Sequence, residues 1–168
     1  MNFQDTQLIG VLARADATVA QLSGLLSGLV ERFALHDAPL YLVGGSVRDA
    51  LLGRLGNDLD FTTPARPDVV YSILEEWAET VWDTGIDFGT VSAAYKGQQI
   101  EITTFRSDSY DGDSRNPEVV YGDTLEGDLV RRDFKVNAMA IELRPDGTRE
   151  FHDPMGCLLY TSPSPRDL

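Results

Sequence analysis

Residues 40–63, LYLVGGSVRDALLGRLGNDLDFTT, decide the fold. They read as a short strand, a glycine turn, a helix, a second turn and a second strand. Tyr41, Leu42 and Val43 are bulky and apolar enough for a buried strand. Gly44 and Gly45 carry no Cβ, so the backbone can turn sharply there and come close to a ligand. Residues 46–52 follow as a helix with Val47, Leu51 and Leu52 on one side, ended by Gly53 and Gly56. A helix that starts directly after two glycines offers backbone N–H groups to a phosphate. Arg48, in its first turn, adds a charged fork for the same anion.

Side chains alternate along the second strand. Leu59 and Phe61 face the core, which leaves Asp58 and Asp60 on the opposite face, roughly 6–7 Å apart. Two carboxylates at that spacing repel each other unless a cation lies between them, and oxygen donors of this kind suit Mg²⁺. Alone, a glycine pair before a helix is a tight turn and D-x-D is a solvated strand edge. In this order, joined by Arg48-Asp49, they place phosphate donors beside a divalent-metal site, which is what a nucleotidyl-transfer centre needs.

The rest of the composition sets bounds. The chain has 168 residues, enough for one domain with a core and an added helical arm. No run is apolar for long enough to span a bilayer, and the N-terminus lacks the basic start and apolar stretch of a signal peptide. The single cysteine, Cys157, excludes an internal disulfide and a cysteine-based zinc site. These features point to a cytoplasmic protein with no membrane association. A net charge of −13 argues against this piece gripping a nucleic acid unaided, since RNA binders show a basic face. The densest basic group is Arg131, Arg132 and Lys135.

Ahead of the central stretch, residues 1–37 form an N-terminal helical arm. Residues 1–15 are polar and weakly patterned, which predicts a loose start. Thr18 with Gln21 resembles a capping box. Leu22, Leu25, Leu26, Leu29, Val30 and Phe33 then recur at helical spacing and pack on the sheet, with a partner-binding helix as the alternative. Pro39 breaks the helix before the first strand.

Beyond the paired aspartates, Pro67 opens another helix with a buried stripe of Val70, Ile73, Leu74 and Trp77. Val81 and Trp82 suggest a short strand. Residues 89–95 and 98–105 read as a hairpin across Lys96-Gly97. In its second strand Ile100 and Ile102 alternate with Glu101 and Thr103, so Glu101 points away from the core. If it shares the face of Asp58 and Asp60 it is a third carboxylate of the metal site; otherwise it is an exposed strand glutamate. Residues 107–117 are rich in Asp, Ser and Gly, bury little, and are expected to be a mobile lid. Residues 124–130 read as a helix that delivers Arg131 and Arg132. Residues 157–168 look like a foreign, unstructured tail, similar to translated vector sequence.

At this point the chain resembles a known family. Leu42-Val43-Gly44-Gly45-Ser46-Val47-Arg48-Asp49, the Asp58-x-Asp60 pair, and Arg131-Arg132-Asp133-Phe134 with Asn137-Ala138-Met139-Ala140 are similar to the motifs of bacterial tRNA nucleotidyltransferases, the CCA-adding enzymes, and the related bacterial poly(A) polymerases. The likeness runs over residues 40–156, and the stretches 101–106 and 114–119 are similar to the actinobacterial branch. It implies an α/β (α+β) catalytic head over residues 38–156, of the polymerase-β-like type, with a small mixed β-sheet flanked by helices. It further implies that Asp58 and Asp60 are catalytic and bind Mg²⁺; Glu101 joins them as a candidate catalytic residue from the strand-face reading above. Gly45 and Arg48 would hold the triphosphate of CTP or ATP, and Arg132 would reach the nucleotide from the other side. The partners it implies are CTP, ATP and the 3′ end of tRNA. The family's nucleotide-selecting and tRNA-holding helical segments would follow residue 156. A poly(A)-adding enzyme and a nucleotide-binding piece without turnover stay open as alternatives. Lys135, where the family usually has threonine, and Cys157, where it has glycine, depart from the pattern.

Overall fold

The computed structural model describes residues 3–107, 120–132 and 138–154, and their side chains from Ile9 onward except that of Ser23. The helix α1 (Phe3–Leu35) leads into β1 (Leu40–Val43), α2 (Gly45–Leu51) and β2 (Asp58–Thr63). Next come α3 (Pro67–Trp77), β3 (Thr80–Trp82), a 3₁₀ turn over Ile86–Phe88, β4 (Thr90–Tyr95) and β5 (Gln98–Thr104). The described chain closes with α4 (Leu125–Val130), β6 (Ala140–Leu143) and β7 (Arg149–His152). The seven strands form one sheet in the order β3-β4-β5-β2-β1-β6-β7. The β2/β5 pair is parallel and every other pairing is antiparallel.

One face of this sheet is apolar and the other polar. Leu40 and Leu42, Leu59 and Phe61, Ile100 and Ile102, Val91 and Ala93, and Ile141 and Leu143 are buried together with α1, α2 and α3. Because strand side chains alternate, the opposite face carries Asp58 and Asp60, Gln99 and Glu101, Tyr41 and Glu142. Among the described residues, a small apolar cluster sits on that face, where Leu129 of α4 packs with Val43, Ala138 and Ala140.

α1 departs from the expectation. It begins at Phe3, not near Thr18, and residues 3–15 are helical rather than loose. Val11, Ala15 and Val19 continue the stripe of Leu26, Leu29, Val30 and Phe33 into the core at i, i+4 spacing. Small, sparse apolar residues kept that half of the stripe faint. Thr18 is not a cap; its hydroxyl donates to the Arg14 carbonyl one turn back, at 2.8 Å. Arg149 of β7 clamps Asp16 through Nε at 2.6 Å and Nη2 at 3.1 Å, fastening the early helix to the sheet edge. At Gly28 the indole of Trp77 comes so near that a Cβ would meet its Nε1 at 3.3 Å.

Elsewhere the local reading matches. The hairpin turn Lys96-Gly97 has φ of 46° and 80°, the paired positive values of a type I′ turn. α3 buries Val70, Ile73 and Leu74, and Trp77 stacks on Tyr95 with centroids 4.0 Å apart. Thr124 caps α4, its hydroxyl accepting the Gly127 N–H at 3.1 Å. β6 and β7 were not anticipated. The expected lid over residues 107–117 lies outside the described residues apart from Ser107, as do residues 133–137 of the second motif and the expected tail at 157–168. No helix among the described residues is long and apolar enough to cross a membrane.

Candidate active site

The carboxylates come together because of a register between strands that are distant in sequence. β2 and β5 align Asp58 with Gln99 and Asp60 with Glu101. Neighbouring strands lie about 4.8 Å apart, so Asp60 and Glu101 stand side by side on the polar face. Glu101 therefore shares the face of the paired aspartates. Thr62 Oγ1 donates to the Thr103 carbonyl at 2.8 Å and Thr90 and Thr103 bond through their hydroxyls at 2.9 Å, which holds the register along β4, β5 and β2.

The three acids press on one another. Burial first, and then the Asp58 charge, push the Asp60 carboxyl above its ordinary range, against the opposing pull of a hydrogen bond with Glu101 and the Arg132 charge. Glu101 is raised by burial, then by the charge of Asp60, by its hydrogen bond with Asp60 and by Asp58. An oxygen-only donor set crowded to this degree fits a hard divalent cation, which would relieve the repulsion.

The glycine turn is set directly against these acids. Gly44 has φ 64° and ψ −137°, a conformation that a residue with a Cβ does not tolerate, and it caps α2 with no side chain of its own. A Cβ there would point at Asp60 Oδ2, 3.9 Å away. Ser46 locks the two pieces together. Its buried hydroxyl accepts the Asp60 N–H at 3.0 Å and lies 3.5 Å from the Asp58 carbonyl. β1 pairs with β2 only at Phe61 and Thr62, so the Ser46 hydroxyl substitutes for strand pairing at Asp60. Arg48 lies over the turn, where a Cβ on Gly45 would meet its Nη2 at 3.5 Å, and it pairs loosely with Asp49 at 3.7 Å.

Across from the acids stands a basic wall. A cavity of about 220 Å³ is lined by Val43, Gly44, Asp60, Phe61, Glu101 and Thr103 on one side and by Arg106, Arg131 and Arg132 on the other. Among the residues expected from sequence, Asp60, Glu101 and Arg132 line it directly. Asp58 sits one strand step away at the start of β2, and Gly45 and Arg48 adjoin it through Gly44. Three further residues went unrecognised in the sequence. Ser46 was passed over as a helix residue. Arg106 was unmarked, and only the register of β5 shows that the strand's end reaches the cavity. For Asp128 the usable signal is its i, i+3 and i, i+4 relation to Arg131 and Arg132.

A mixed sheet with helices on one face, and carboxylates from two central strands beside a glycine turn on the other, is the architecture of a polymerase-β-like head. The chain belongs to the poly A polymerase head domain family, which matches residues 40–158. It is 42% identical over 120 residues to the CCA-adding enzyme of Staphylococcus saprophyticus subsp. saprophyticus, covering 68% of this chain and 28% of that protein. It is 48% identical over 112 residues to the CCA-adding enzyme of Lactobacillus helveticus, covering 65% of this chain and 27% of that protein. The crystal structure of the Bacillus stearothermophilus CCA-adding enzyme in complex with CTP superposes with a TM-score of 0.59 at 32% identity, over 95% of this chain and 32% of that one. A CCA-adding enzyme in apo form II gives a TM-score of 0.68 at 29% identity, over 91% of this chain and 36% of that one. The chain thus spans under a third of the length of the curated relatives it matches.

Proposed function

We propose that the chain is the catalytic head of a template-independent RNA nucleotidyltransferase that adds CMP and AMP, from CTP and ATP, to the 3′ end of tRNA. The observation that carries this is the cavity in which Asp60 and Glu101, in register on parallel strands, face three arginines beside a glycine turn. The named relatives support the choice of reaction.

In this reading Asp58 and Asp60 hold Mg²⁺, with Glu101 as the neighbour that keeps Asp60 in place. Bound there, Mg²⁺ lowers the pKa of the RNA 3′-hydroxyl and offsets charge on the phosphate oxygens. Gly45 and Arg48 seat the triphosphate against the start of α2, and Arg132 approaches it from the opposite wall. So held, the nucleotide presents its α-phosphate to the 3′-hydroxyl. The new O–P bond forms as the bond to the β-phosphate breaks, and pyrophosphate leaves. Ser46 keeps the turn that seats the phosphates and the strand that carries the acids in one rigid relation.

The test is to incubate the chain with tRNA lacking its terminal CCA, labelled CTP or ATP, and Mg²⁺, alongside an Asp58→Ala variant. Incorporation of both nucleotides that the variant loses supports the proposal. Runs of AMP without CMP would favour poly(A) addition by the same centre. Nucleotide binding with no incorporation would leave a nucleotide-binding piece, and no nucleotide binding at all would refute the reading.

A further inference from the structure

Asp128 is fully buried, yet it is ionisable and belongs to neither the acids on the sheet nor any expected nucleotide contact. A carboxylate in that position persists only if its oxygens are matched by charged donors. They are. Oδ1 accepts the Arg131 Nη2 at 3.1 Å and the Arg106 backbone N–H at 2.9 Å, and Oδ2 accepts the Arg132 Nη2 at 2.9 Å. The pattern follows from α4, where Asp128, Arg131 and Arg132 at i, i+3 and i+4 lie on one face. The Arg106 N–H ties that helix end to the chain just past β5.

The wall this builds is incompletely satisfied. The Nε atoms of Arg106, Arg131 and Arg132 are all shielded from solvent and have no hydrogen-bond partner among the described residues. Among the described residues, the Arg131 and Arg132 guanidinium groups share the Asp128 carboxylate while that of Arg106 donates to the Phe88 carbonyl, so three cations with one carboxylate between them line this side of the cavity. Burial, and then the Arg131 charge, hold the Arg106 guanidinium below its usual range, with Asp128 pulling the other way. Such crowding of like charge is relieved by an anion with several oxygens.

We propose that Asp128 is a positioning residue that fixes Arg131, Arg132 and the base of Arg106 as one seat for the phosphate chain of a nucleotide. The proposal rests on the reading of the cavity as a nucleotide site. A free arginine must lose rotamer freedom to grip a phosphate; here Asp128 has already removed it, so binding costs less. The carboxylate does not touch the nucleotide. It acts through the arginines.

Calorimetric titration of the chain with CTP and with inorganic triphosphate, both in Mg²⁺, and separately with Mn²⁺ alone, tests this in the wild type and in Asp128→Asn. The asparagine keeps the shape but cannot serve two guanidiniums and an N–H as acceptor. Affinity for CTP and for triphosphate should fall about tenfold or more, while Mn²⁺ affinity stays within about twofold, since the acids on β2 and β5 are untouched. Unchanged CTP affinity overturns the proposal. An equal fall in Mn²⁺ affinity also overturns it, because Asp128 would then only support the fold. A wild-type chain that binds Mn²⁺ but no CTP removes the nucleotide reading itself, and the proposal with it. Should the variant not fold, ¹⁵N spectra of the wild-type arginine side chains decide. Hindered guanidinium rotation at Arg131 and Arg132 before any nucleotide is added, with Nε–H signals that shift on adding CTP, is the expected result. Free rotation until CTP arrives refutes the preorganised seat.

Discussion

Replacing Ser46 with alanine removes one oxygen atom and leaves the Asp60 N–H facing the space it occupied. Ser46 is 3% exposed, and its hydroxyl accepts that N–H at 3.0 Å where β1 no longer pairs with β2. A buried donor left without a partner costs about 1–3 kcal/mol. With an unfolding entropy of roughly 2.1 cal/mol/K per residue, a chain of 168 residues loses about 3 °C of melting temperature per kcal/mol. Ser46→Ala should therefore melt about 3–9 °C below the wild type. The effect belongs to the backbone and not to a metal, so it is measured by circular dichroism in EDTA. Ser72→Ala is the control, because the exposed Ser72 hydroxyl only returns to the Asp68 carbonyl of its own helix; it should melt within about 1 °C of the wild type. A Ser46→Ala protein as stable as this control would refute the account of Ser46 as the lock between the glycine turn and the acidic strand.

Asp58→Ala should lower nucleotide transfer by several orders of magnitude with little loss of helical ellipticity, and full activity in the tRNA-extension assay would remove Asp58 from the metal site. Asp60 and Glu101 have raised carboxyl pKa values in the folded chain, chiefly through burial, so the folded state binds protons more tightly than the unfolded one. Their destabilising effect is absent below the ordinary carboxylate range and grows as pH rises from there through the raised values, where a bound cation would offset the repulsion between the ionised acids. The rise in melting temperature on adding Mn²⁺ should be larger at about pH 7 than at about pH 5, and an equal rise at both would contradict the coupling. CTP, ATP, GTP and UTP in Mg²⁺ should bind within roughly tenfold of one another, about 1.4 kcal/mol, since the arginines and acids of the cavity address phosphate and metal. A hundredfold preference for CTP and ATP would mean that the head itself reads bases.

What could be read from the chain was whatever one segment dictates alone. The glycine turn, the helix of residues 45–51, the in-out alternation of Asp58 to Phe61 and the Lys96-Gly97 hairpin are all local, and each stands as expected. The place of Glu101 depends on a parallel register with β2, which no local pattern encodes. β6 and β7 escaped notice because Glu142, Arg149 and Glu150 interrupt their apolar content, and the strand that ties β6 into the sheet, β1, is far back in the chain. The burial of Asp128 is not legible locally, because burial of an acid is decided by the arginines that come to it.

The strands that bring Asp60 and Glu101 together run parallel, and all of α3, β3 and β4 lies between them in the chain. A parallel pair cannot close until its connection has folded back, so this contact is slow and late by nature. During synthesis, at roughly 5–20 residues per second, Asp58 and Asp60 leave the ribosome before Glu101, and Glu101 before Asp128 and its arginines. A half-made chain thus carries acids without a register and, for a time, no basic wall at all. It has little to offer a metal or a nucleotide. Ligands that recognise only the finished cavity add their binding energy to the completed fold and to nothing earlier, so binding of the proposed nucleotide would directly report that the cavity has finished folding.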